Sequence, residues 1–145
     1  MTVKFIKLNE NAIVPTYGTE YAAGADIYAL PFGDITVKPG DTVLIHTGIA
    51  MQIPKGYGGF IFARSGIATK RGLAPANKVG VIDSDYRGEI MVSIHNHSRD
   101  LQVIASGERV AQLVIMPYLK AEFTECESLE ETERAAGGFG STGTK

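Results

Sequence analysis

The run GVIDSDYRG at residues 80–88 carries the densest chemistry in the chain. An apolar segment leads into Asp83, Ser84, Asp85, Tyr86 and Arg87, and a second apolar segment leaves from Glu89. In extended backbone, Asp83 and Asp85 stand at i and i+2 and share one side. A carboxylate there can take a proton from water or ligate Mg2+. A charged hairpin tip closed by an Asx-turn accounts for the same residues equally well. ARSG at 63–66 sets a guanidinium, a hydroxyl and an unhindered backbone N–H within three residues. That is a compact anion-binding set, although Arg-Ser-Gly turns are more often structural. AAGADIYA at 22–29 holds one carboxylate, Asp26, among small and apolar neighbours. Such a charge needs an arginine, a hydrogen bond or a metal-bound water. Gln112, within GERVAQLVI at 107–115, falls in a buried-looking strand where its amide must find partners, usually in the core.

The C-terminal run GFGSTG at 138–143 matches G-x-G-x-x-G letter for letter. The dinucleotide fingerprint needs a strand before it and a helix after it, and here only Thr144 and Lys145 follow. A Rossmann reading therefore fails, and so does a kinase loop. What remains is a set of backbone N–H groups, two hydroxyls and one aromatic, Phe139, which suit phosphate oxygens and a stacked base. A frayed end is the plain alternative. His95 and His97 face one side of a strand, but without a third ligand a polar strand end explains them better than a metal pair. His46 and Cys126 carry no visible chemistry.

These groups need strands to position them. Pro39-Gly40 is a turn signal between two β-branched runs in 34–48. Residues 49–54, 59–63, 89–96 and 109–116 form further short apolar segments, and the one helix candidate spans 64–70. Seventeen glycines and six prolines among 145 residues cut the chain too often for long helices. The spacing predicts an all-β sandwich or barrel. Beyond Tyr118 the sequence turns acidic, with Glu122, Glu125, Glu127, Glu130, Glu131 and Glu133, and then nearly all small. The acidic stretch reads as a solvated connector and the Gly-rich end as mobile when empty.

At 15.5 kDa the chain is one domain's worth of core. Hydrophobic residues at 44% and charged ones at 21% exclude a disordered chain. A net charge of −2 argues against a nucleic-acid partner, and no apolar run suits a membrane span or a signal peptide. A single cysteine excludes a disulfide framework. A cytoplasmic protein is expected.

Taken in order, AGADIYA, ARSGIA, GVIDSDYRG, GERVAQLVI and RAAGGFGSTG resemble the five motifs of the trimeric deoxyuridine triphosphatase (dUTPase) family, across residues 23–143. Ile27 stands where the family often has Leu, and Ala63 where Pro often precedes Arg-Ser. The resemblance implies a jelly-roll-like, distorted β-barrel over 1–134 with a flexible glycine-rich lid at 135–145. It implies a homotrimer with sites shared between subunits. The implied reaction is hydrolysis of dUTP to dUMP and pyrophosphate with Mg2+, which limits uracil in DNA and supplies dUMP for thymidylate synthesis. Asp83 would be the general base, and Tyr86 would pack on the deoxyribose and leave no space for a 2′-hydroxyl. Asn77 and the backbone of Val81 and Ile82 would read uracil in a pocket lined by Met91. Arg64, Ser65, Gly66 and Gln112 would hold phosphates, with Asp26 touching Mg2+ only through water. Arg134, Gly140, Ser141 and Thr142 would close over the terminal phosphate while Phe139 covers the base. The rivals are a dCTP deaminase-like enzyme, which needs a further acid/base residue beside the pyrimidine (Glu89 is the nearest in sequence), and a non-catalytic nucleotide-binding regulator.

Overall fold

The structure is a computed structural model that describes residues 1–138. Its eleven strands are β1 (Lys4–Lys7), β2 (Thr16–Tyr17), β3 (Ala25–Tyr28), β4 (Ile35–Val37), β5 (Thr42–Gln52), β6 (Tyr57–Phe62), β7 (Leu73–Pro75), β8 (Gly80–Ile82), β9 (Glu89–Asn96), β10 (Gln102–Ile104) and β11 (Arg109–Pro117). One helix, α1 (Ser65–Arg71), lies between β6 and β7. All-β is the observed class.

The strands form a four-stranded sheet in the order β1-β5-β9-β7, a five-stranded sheet in the order β2-β3-β11-β6-β8, and the pair β10-β4. All pairings are antiparallel, and among the described residues no ring of hydrogen-bonded strands closes. Alternation explains how the sheets meet. On β9, Ile90, Val92, Ile94 and Asn96 point inward while Met91 faces out. Ile45, Ile49, Ile27, Ile61, Val110 and Leu113 join them in one core. Each such side chain contributes about 1.5–3 kcal/mol when fully buried.

The two runs around Pro39-Gly40 do not pair with each other. β4 goes to β10, whereas β5 lies between β1 and β9. β5 also runs straight through the break expected at Gly48, because the chain absorbs it as a bulge. His46 opposes Met91 and Ala50 opposes Glu89, so four steps on β5 match two on β9. Gly48 takes a φ of +68° there, and a Cβ on it would lie 2.9 Å from the Ala12 Cβ. No side chain fits that position.

α1 is short because Gly72, at a φ of 68°, ends it by returning its N–H to Ala68 and Ile67 carbonyls. Arg71 ties the helix end to the Glu108 carboxylate and the Val103 carbonyl. The buried Asn96, which sequence reasoning left unremarked, donates to the Val37 and Asp100 carbonyls and accepts from Ser98. No helix among the described residues is long and apolar enough to cross a membrane.

Candidate active site

Two sites flank β6, one along its edge partner β8 and one beyond its C-terminal end. The first is a cleft of about 270 Å³ walled by β8, β9 and the turn that joins them, with Asn77, Val81, Ile82, Asp83, Tyr86 and Met91 among its lining residues. β8 is an edge strand paired only with β6, so backbone N–H and C=O groups along its free side lack strand partners. A ring edge that alternates donors and acceptors, as a pyrimidine does, can take their place. Met91, Leu44 and Ile61 supply the apolar remainder of the lining.

The turn closes through the Tyr86 N–H, which donates to the Asp83 carbonyl at 3.1 Å. This corrects the extended reading of Asp83 and Asp85. In a tight turn, i and i+2 no longer share a side. The Arg87 guanidinium braces the loop by donating to the Ser84 and Tyr86 carbonyls, both at 2.8 Å. The Asp83 carboxylate is exposed and has no side-chain partner among the described residues. It therefore keeps its lone pairs for water, as a base must. The Tyr86 ring lies across Gly88, whose missing Cβ would collide with the Tyr86 hydroxyl.

The second site, about 220 Å³, gathers Gly24, Asp26, Arg64, Ser65, Gly66 and Gln112. Strand register makes this set. Asp26, Gln112 and Phe62 stand in one row across β3, β11 and β6. A bulge in β11 between Arg109 and Ala111 adds one residue, which brings Arg109 to the same face as Gln112 despite their odd spacing. Asp26 is thus held by two guanidiniums: Arg64 Nε donates to Oδ1 at 2.6 Å and Arg109 Nη1 to Oδ2 at 3.0 Å. Its charge finds the arginine partners that its apolar setting requires. Gln112 donates to the Ala63 carbonyl at 2.9 Å and so braces the entry to α1. A Cβ on Gly24 would lie 2.6 Å from Gln112 Oε1, so glycine lets the two strands close around that amide. The first helical bond runs from Ala68 N–H to Arg64 O, which leaves the Ser65 and Gly66 amides free. Guanidinium, hydroxyl and free amides together can grip phosphate oxygens.

A model of the dUTPase family matches residues 10–143. The chain belongs to the dUTPase family. It is 50% identical over 143 residues to a deoxyuridine 5'-triphosphate nucleotidohydrolase of Nautilia profundicola, covering 99% of both chains. A protein of the same name from Syntrophotalea carbinolica is 46% identical, with 99% of this chain and 97% of that one covered. Among solved structures, a mutant of the Staphylococcus bacteriophage 80alpha dUTPase with dUpNHpp superimposes with a TM-score of 0.86 at 30% identity, covering 98% of each chain. A mutant dUTPase from phage phi11 of S. aureus, described with a structural Mg(II) ion, gives 0.79 at 27% identity over 90% of this chain and all of that one.

Within this dUTPase the residue that a deaminase would need is occupied elsewhere. Glu89 Oε1 accepts the Gly48 and Thr47 amides at 2.7 and 3.1 Å, and Oε2 meets His46 Nδ1 at 2.8 Å. Burial alone would raise its pKa. The His46 hydrogen bond, the two amides and the His46 charge outweigh that and hold it below the ordinary value. A carboxylate with both oxygens engaged by three donors is poorly placed to shuttle a proton. The clamp role of Glu89 and the pairing of Arg109 escaped sequence reasoning because their partners lie far along the chain, as does the Val37 partner of Asn96. His95 is occupied by Thr42 Oγ1 at 2.8 Å, and no group of three metal-ligating side chains occurs among the described residues. Arg134 Nε donates to the Gly137 carbonyl at 3.0 Å. Phe139, Gly140, Ser141 and Thr142 lie outside the described residues.

Proposed function

We propose that this chain hydrolyses dUTP to dUMP and pyrophosphate at a site that no single copy completes, in a cytoplasmic homotrimer. The observation that carries the reading is the distance between its two halves. Ile82 opposes Gly59 on β6, so Asp83 falls one step further, beside Gly58, while Arg64 follows the other end of the strand. Six residues of extended chain separate those ends by about 20 Å. A base must lie within hydrogen-bond reach of the water that attacks the phosphorus, and the phosphate grip must hold that same group. Asp83 of one copy therefore works with Arg64, Ser65, Gly66 and Gln112 of another.

Uracil sits in the β8 cleft against Val81, Ile82, Asn77 and Met91, and the Tyr86 ring lies on the deoxyribose. Asp83 takes the proton as water adds to the α-phosphorus, and the bond to the pyrophosphate oxygen breaks. Arg64 and the α1 amides take up the growing charge. The donor set suits Mg2+ carried by the nucleotide. A triphosphate chelates the ion itself, and an ionised carboxylate has about four acceptor directions, so Asp26 keeps some for metal-bound water beside its two arginines. Bound there, Mg2+ would neutralise phosphate charge. Arg134 and the residues of 139–142 are proposed to close the site.

Complementation tests the reading. Asp83→Asn and Arg64→Ala homotrimers should each be nearly inactive, and co-refolding them should restore pyrophosphate release well above the sum of the two. If the mixture stays as inactive as its components, each copy carries its own complete site.

A further inference from the structure

We infer that Glu89 sets the sugar selectivity of the site, because its carboxylate clamps the β5 bulge and so fixes the carbonyl that anchors the Tyr86 ring. The inference rests on the dUTP reading above and extends it to a residue that the five motifs' chemistry leaves without a role. Glu89 is the first residue of β9, just where the turn must stop and the sheet begin. Its side chain is only 21% exposed, and it spends both oxygens on three donors from β5: the Thr47 and Gly48 amides and the His46 ring. The bulge is the one place along this pair where strand register leaves β5 amides unpaired by β9. Without the carboxylate those donors would lose their partner.

The same residue's main chain faces the turn. The Tyr86 hydroxyl donates to the Glu89 carbonyl at 3.0 Å, and the ring rests over Gly88. Tyr86 is 43% exposed, and this bond and the Gly88 contact help to hold its ring. A steric gate against one hydroxyl works only if its wall stays put; a ring free to yield by an ångström or so admits the larger sugar. The carboxylate, its own carbonyl and the ring thus form one chain of contacts from the β5 bulge to the ribose face. Glu89 touches no reacting atom and is a positioning residue.

The test compares kcat/KM for dUTP and for UTP, both with Mg2+, in the full-length chain. The parent should strongly prefer dUTP. Glu89→Ala should lower that preference roughly tenfold or more, the size expected from losing one anchoring interaction. Glu89→Gln keeps an acceptor for the amides and should stay within about threefold of the parent. A merely structural role would lower stability and overall rate while leaving the ratio unchanged, and a parental ratio in Glu89→Ala overturns the inference. If that variant does not fold, Tyr86→Phe, a change at an exposed hydroxyl, breaks the same chain of contacts and must lower the ratio; an unchanged ratio again overturns it. A parent that cleaves neither nucleotide would overturn the functional reading instead, so the two failures are distinct.

Discussion

Asp83 stands on a turn with its carboxylate unpaired among the described residues, whereas Asp26 is committed to two arginines and Glu89 to the β5 bulge. That division assigns the roles. Asp83→Asn should preserve the turn, which closes through backbone atoms, yet lower turnover by roughly 10²–10⁴-fold, the usual worth of a general base. Nucleotide binding, read by calorimetry with a non-hydrolysable analogue, should survive; parental turnover would remove Asp83 from the mechanism. Glu89 gives a pH signature of a different kind. Its folded pKa lies below the ordinary 4.5, so the unfolded chain takes the proton first as pH falls. The clamp's charge-dependent stability is then complete above about pH 5 and disappears as pH drops through the folded value. The melting-temperature gap between parent and Glu89→Gln should narrow as pH falls below about 5 and the Glu89 carboxylate takes its proton. A gap that widens in acid would contradict an ionised clamp. The sequence displayed Asp83 and Arg64 because their neighbours in the chain share the chemistry. It hid the partners of Glu89 and Arg109, which stand some 40 and 80 residues away and meet them only through strand register.

Turns and bulges, rather than strand interiors, place these groups. β9 and β11 were legible almost to the residue, since their alternating apolar runs are long and lie between clear turn signals. β1 and β10 were not. β1 is exposed along its whole length and β10 has three residues, so neither leaves a burial pattern to read. Gly48 divides two apolar runs in the sequence because glycine usually punctuates, but in the fold it is the left-handed residue that lets β5 continue. Gly48→Ala should therefore cost more than an ordinary surface change: about 1–2 kcal/mol for the left-handed backbone, plus the contact with Ala12 and Leu30. Urea denaturation measures the sum, and a loss under about 0.5 kcal/mol, the ordinary surface range, would mean that the bulge is not rigid. Gly24→Ala acts at the other site. By pushing Gln112 off the Ala63 carbonyl it should loosen the entry to α1 and raise KM for dUTP, with less effect on the fold.

At the scale of the whole molecule, several large apolar side chains beyond β11 stand exposed on the single copy. Beyond β11 the chain runs outward from Tyr118 through residues that are nearly all exposed, with Leu119 at 99%, Phe123 at 95% and Leu129 at 86%. The body also carries an apolar cleft of about 260 Å³ among Phe5, Val14, Tyr17, Met51 and Ile115. Burying three such side chains is worth about 1.5–3 kcal/mol each, and a trimer would repeat that gain at every copy. The acidic residues between them keep the arm solvated. Two truncations separate this arm from the glycine-rich end that follows it. A chain ending at Glu133 retains Leu119, Phe123 and Leu129 and should still form a trimer, with three times its own mass by light scattering. It should release pyrophosphate far more slowly, because it lacks Arg134, Phe139 and the hydroxyls of Ser141 and Thr142. A chain ending at Pro117 lacks the anchors as well and should lose the trimer and the remaining activity together, since Asp83 and Arg64 of one copy stand about 20 Å apart. A stable trimer from the shorter chain would show that assembly resides in the sheets; an active monomer would dissolve the case for a shared site.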